Sequence, residues 1–96
     1  MRREIWKWPL ENTDVQVLMM QYGAEILSVQ SQYGIPFLWA LVYPQAGLSE
    51  RRIRIYGIGH QVDEAGKFIG TYQLSGGALV FHVFDCGEPK PEDAQE

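Results

Sequence analysis

The chain has one cysteine, Cys86, and two histidines, His60 and His82, among 96 residues. A single thiol closes no intrachain disulfide, and these residues show none of the spacings that hold a metal ion. A reducing cytoplasm is the expected compartment. No apolar run approaches the roughly 18 residues needed to cross a bilayer, so no membrane partner is expected. The start, Met1-Arg2-Arg3-Glu4-Ile5-Trp6-Lys7-Trp8, has basic residues but no apolar stretch behind them, which speaks against a signal peptide. Cofactor fingerprints are missing too. Gly57-Ile58-Gly59 is followed by His60, with no third glycine and no helix opening after it. Gly76-Gly77 lacks the lysine and hydroxyl of a phosphate loop, and no serine sits in a nucleophile elbow. No cofactor, no metal and no catalytic residue are expected.

What is present describes a globular protein. Hydrophobic residues make up 46% and aromatic residues 12% of the chain, enough for one core in a single domain. The formal charge of −4 is unevenly distributed. Residues 85–96 hold five of the 12 acids and one of the 8 bases, leaving seven of each sign in residues 1–84. A neutral body disfavours binding to duplex nucleic acid, which draws on a basic surface.

Short alternating segments broken by glycine, proline and polar turns predict about seven short strands. They are read at Glu4–Trp8, Val15–Met20, Glu25–Gln30, Phe37–Tyr43, Arg51–Tyr56, Lys67–Leu74 and Ala78–Phe84. In the third, Leu27 and Val29 are expected to oppose Ile26, Ser28 and Gln30. Phe37–Tyr43 is apolar on both faces and must be covered twice, by the rest of the domain or by another subunit, so a homo-oligomer is expected. Pro44–Glu50 reads as a mobile loop, and Val62–Ala65 as one helical turn at most. Gly70, inside a strand, signals a bulge or a close backbone approach. The fold expected is an all-β, single-domain antiparallel sandwich or barrel over residues 1–86, followed by an acidic, disordered tail over residues 87–96.

The strongest candidate site is Arg51-Arg52-Ile53-Arg54-Ile55-Tyr56-Gly57-Ile58-Gly59-His60. Strand alternation places Arg52, Arg54 and Tyr56 on one face and Ile53 and Ile55 on the other. Two guanidiniums side by side match phosphate or carboxylate oxygens. Tyr56 would stack or hydrogen-bond, while His60 and the Gly57–Gly59 turn would line the site. The competing reading is an ordinary solvated face whose arginines pair with Glu25 or Glu4. Trp6, Trp8 and Trp39 are alternative stacking residues, with core packing the stronger expectation for Trp39. His82 reads as a half-buried, satisfied histidine.

Several blocks together resemble a known group. They are Ile5-Trp6-Lys7-Trp8-Pro9-Leu10, Gly23–Gln30, Gly34–Val42, Phe68–Leu74 and Gly76–Phe84. The chain is similar to a small family of uncharacterised bacteriophage and prophage proteins, over nearly its whole length except the tail. That resemblance brings no activity and no site residues. It implies a phage accessory protein working in the cytoplasm of an infected host.

The expected function is therefore non-enzymatic binding of a small phosphorylated or nucleotide-like host molecule at Arg52, Arg54, Tyr56 and His60. One alternative is an interaction module that blocks or docks on a host or virion protein. Another is a phosphoester-processing enzyme, which requires His60 and His82 to converge on one pocket.

Overall fold

The computed structural model describes residues 2–63 and 66–88. Seven strands form in chain order: β1 (Glu4–Pro9), β2 (Val15–Gln21), β3 (Glu25–Gln32), β4 (Ile35–Val42), β5 (Leu48–Gly57), β6 (Lys67–Leu74) and β7 (Leu79–Asp85). They make two antiparallel sheets, β1-β4-β3 and β2-β5-β7-β6. The sheets stack as a sandwich and do not close into a barrel, so of the two expected architectures the sandwich is the one adopted. Leu48–Glu50, expected in a loop, extends β5 and pairs with Gln21–Met19. The turn at Ser75–Gly77 passes through left-handed backbone, with positive φ at all three residues.

The core lies between the sheets. Leu38, Ala40 and Val42 of β4 face Met20, Ile53, Ile55, Tyr72 and Val83 of the opposite sheet, and all are buried. Strand alternation puts Leu38, Ala40 and Val42 on one face of β4 and Ile53 and Ile55 on one face of β5, and these are the faces turned to the core. Tyr33 and Gly34, both at positive φ, close a two-residue hairpin between β3 and β4, a turn that favours glycine at its second position. Trp8 packs on the core and donates from Nε1 to the Met19 carbonyl at 3.2 Å, which ties edge β1 to edge β2.

At the other side, edges β3 and β6 touch. They approach closely at Gly70: a Cβ there would lie 3.0 Å from Val29 Cγ1 and 3.7 Å from the Val29 backbone N and O. Both strands are bulged beside this contact, β3 between Ile26 and Ser28 and β6 between Phe68 and Gly70. Gly70 thus marks a bulge and a close approach together. The β3 bulge overturns the alternation expected there. Ile26 and Val29 sit opposite the buried Ala40 and Leu38, while Leu27 is exposed.

The outer face of β4 is less completely covered. Phe37, Trp39 and Leu41 are half-buried and Ile35 is exposed. Lys7 lies over the Phe37 ring at 4.4 Å and supplies part of the cover. The second layer expected over this face has no counterpart within the described residues of one chain. Gly87 and Glu88, assigned to the tail by composition, are tied to the domain, as described below. The rest of the tail, residues 89–96, and half of the helical turn read at Val62–Ala65 lie outside the described residues.

Candidate functional site

β5 is central in its sheet, between β2 and β7, and its two faces carry different chemistry. Ile53 and Ile55 point into the sandwich and are buried, as alternation requires. Arg52, Arg54 and Tyr56 share the outer face. Arg52 is exposed, Arg54 half-buried and Tyr56 buried.

Strand order builds the surroundings of these residues. Val15, Arg54, Phe84 and Phe68 are successive cross-strand partners, a row that crosses all four strands. Tyr56, His82 and Thr71 form the adjacent row. Tyr56 meets Phe84 edge-to-face with ring centroids 5.7 Å apart, and Phe84 meets Phe68 in the same manner at 5.5 Å. Burial of Tyr56 follows from this packing, so the accessible ring on the face is Phe68, which is 53% exposed. His82 Nδ1 lies 3.0 Å from the Thr71 hydroxyl. Val15, Val17 and Met19 continue the face as exposed apolar residues on β2.

His60 lies apart from this face. Its Nδ1 accepts a hydrogen bond from the Gly57 N–H at 3.1 Å, which leaves the ring proton on Nε2. The ring covers Gly57 so closely that a Cβ there would be 3.1 Å from Cε1. His60 lines a recess of about 70 Å³ with Asn12, Thr13, Asp14, Ile55 and Phe81. His82 is not among the lining residues. The four residues read as one site therefore divide into an outer-face group of three and a histidine at the mouth of the sandwich.

Arg51, one step before the outer-face group, shares the inner parity of Ile53 and Ile55. It is 8% exposed. Its Nε donates to Asp85 Oδ1 at 3.0 Å, and Nη2 donates to the Ala24 carbonyl at 2.6 Å. Glu88 Oε2 stands 3.7 Å from Nη1 and accepts from the Gly23 N–H at 3.1 Å. Asp85 Oδ1 also accepts from the Gly87 N–H at 2.8 Å. Arg51 thus pairs with Asp85 and Glu88, and Glu25 is held by Arg3 at 3.1 Å, which corrects the expected pairing of Arg51 with Glu25 or Glu4. Glu4 accepts from Trp6 Nε1.

A cleft of about 390 Å³ opens beside Arg51, lined by the bulged segments of β3 and β6. At the opposite end of the sandwich, buried Tyr72 donates to Asn12 Oδ1 at 2.7 Å, and burial raises its pKa above the ordinary 10.0. Among the described residues no group of three histidine, cysteine, aspartate or glutamate side chains could hold a metal ion.

Sequence reasoning missed Phe68 and Phe84 because only the strand order β5-β7-β6 brings them beside Arg54. It missed the Arg51 cluster for the same reason, since Arg51 and Asp85 are 34 positions apart. Parity was the one available signal, because it groups Arg51 with Ile53 and Ile55.

No curated protein and no solved structure matches the chain. A family does match it over residues 1–94, almost end to end: the chain belongs to the family described as Domain of unknown function (DUF7352).

Proposed function

We propose that this protein is a non-enzymatic binding module whose ligand-engaging surface is the outer face of the four-stranded sheet. The observation that carries the reading is the row Val15-Arg54-Phe84-Phe68, with Arg52 on the same face. A base stacks on an exposed aromatic ring, and a guanidinium takes the accompanying phosphate. Phe68 and Arg52 are the accessible members of each kind. Tyr56 braces Phe84, and His60 shapes the turn that ends β5. The ligand class is a phosphorylated, nucleotide-like molecule of a host cell, and the setting is a phage accessory protein in host cytoplasm. The two imidazoles line no common recess among those around His60, which favours binding over phosphoester chemistry.

A second reading rests on a separate observation. Val15, Val17 and Met19 extend the face beyond what one nucleotide covers, and aromatic, methionine and arginine residues are those enriched in protein interfaces. A protein partner would use the same arginines.

Calorimetry with mononucleotides and cyclic dinucleotides tests the first reading. Binding is expected, with Phe68→Ala weakening it by the roughly 1–3 kcal/mol of a lost base stack. Absence of heat with every nucleotide, or unchanged affinity in the Arg52→Ala/Arg54→Ala double variant, overturns it. A stoichiometric protein retained from host lysate by the native chain, and lost with that double variant, then favours the second reading.

A further inference from the structure

The cleft between β3 and β6 is lined by Arg51 and not by Arg52, and it reaches the outer face at Phe68. Its floor is the Arg51–Asp85 pair, its walls include Ile26, Leu27 and Ile69, and Lys67 stands at its rim. Its volume of about 390 Å³ falls in the range of small-molecule sites. Bulged edges are common beside such sites, because they interrupt pairing and re-aim side chains.

Two observations indicate what fits there. First, Arg51 Nη1 is buried and has no hydrogen-bond acceptor among the described residues. Buried donors are ordinarily satisfied, and a guanidinium is the side chain best suited to a carboxylate. Second, the chain itself presents a carboxylate to this position. Glu88 accepts from the Gly23 N–H but stops 3.7 Å from Nη1, too far for a hydrogen bond. The Gly23 amide and Arg51 therefore form a carboxylate cradle that Glu88 fills incompletely.

The charges permit exchange. Asp85 is engaged by Arg51, and Glu25, also at the cleft, is held by Arg3. An incoming carboxylate would take the place of Glu88 without adding to the charge at Arg51. Lys67, which makes no ion pair among the described residues, would add attraction.

We infer that the β3–β6 cleft is a second binding site, for a small organic carboxylate with an apolar body, and that Glu88 is its displaceable internal plug. The acid group bonds Gly23 N–H and Arg51 Nη1, and the apolar body lies along Ile26, Leu27 and Ile69. The site shares Phe68 with the outer face, but its carboxylate cradle uses neither Arg52 nor Arg54, so the carboxylate titration tests it separately from the nucleotide-binding proposal.

The test is a titration of the full chain with butanoate, followed by the Gly23 amide and Arg51 Nε–H resonances, with butanamide as the uncharged control. Saturable shifts are expected with butanoate alone. If Glu88 holds the cradle about 90% of the time, Glu88→Ala tightens the apparent affinity about tenfold. Lys67→Ala in that background weakens it several-fold, and Arg52→Ala leaves it unchanged. No saturable shift in Glu88→Ala, equal affinity with and without the Glu88 carboxylate, or an equal response to butanamide overturns the inference.

Discussion

Arg51 and Arg52 are chain neighbours with the same charge, yet they sit in different electrostatic settings. Arg51 points into the sandwich, where its guanidinium is held by Asp85, Glu88 and the Ala24 carbonyl. Arg52 points outward and is exposed. A charge inside a low-dielectric interior must be paired or its neighbours are left uncompensated, whereas an exposed charge keeps its water. Arg51 is therefore structural: it fastens the β2–β3 turn and the segment after β7 to β5. Arg52 lies on the exposed outer face, so its charge is not part of the buried cluster that joins these segments.

The largest expected effect breaks this contrast directly. Arg51→Met leaves the half-buried carboxylate of Asp85 without its cation and should cost about 3 kcal/mol in chemical denaturation. Arg52→Met should stay within about 0.5 kcal/mol. Similar losses for the two variants would show that the inward cluster is not what holds that end of the sandwich.

A second test applies the same inside–outside contrast to glycines. Gly70→Ala drives a Cβ against buried Val29 and should cost about 1–3 kcal/mol, measured by the denaturation midpoint. Val29→Ala should relieve much of that cost in the double variant. Gly47→Ala has open space around the new Cβ and should be near neutral.

The smallest effect concerns Tyr72, the buried polar group at the far end of the sandwich. Tyr72→Phe loses a hydrogen bond to Asn12, worth about 1 kcal/mol. Burial raises the phenol's pKa, so above pH 10.0 the unfolded chain releases a proton that the native state keeps. The contribution is fully present below that pH and declines as pH rises through the folded-state pKa. Thermal melts between neutral and strongly alkaline pH should show a shallower decline for Tyr72→Phe than for the native chain.

The strand positions were legible because alternation and turn residues are local signals. Lys67–Leu74 forms a strand with the expected bounds, and the other six strands shift or extend at their ends. Gly70 announced its role, since a glycine inside a strand has few other uses. The β3 bulge was not legible. Ile26-Leu27-Ser28-Val29 satisfies a regular strand equally well, and the extra residue is accommodated where β3 meets β6. The candidate site was legible in part. Alternation put Arg52, Arg54 and Tyr56 on one face, but the burial of Tyr56 depends on Phe84, and the withdrawal of His60 depends on its bond to Gly57.

Residue order along the chain was enough to establish an all-β domain, its seven strands, and which β5 residues point in and which point out. These follow from side-chain period and turn chemistry within a few positions. Strand order, the aromatic row beside Arg54, the Arg51–Asp85–Glu88 cluster and the cleft next to it were decided only by the tertiary structure. Each joins residues tens of positions apart, and such pairings are selected by which sheet arrangement buries the core, a condition that no short segment encodes.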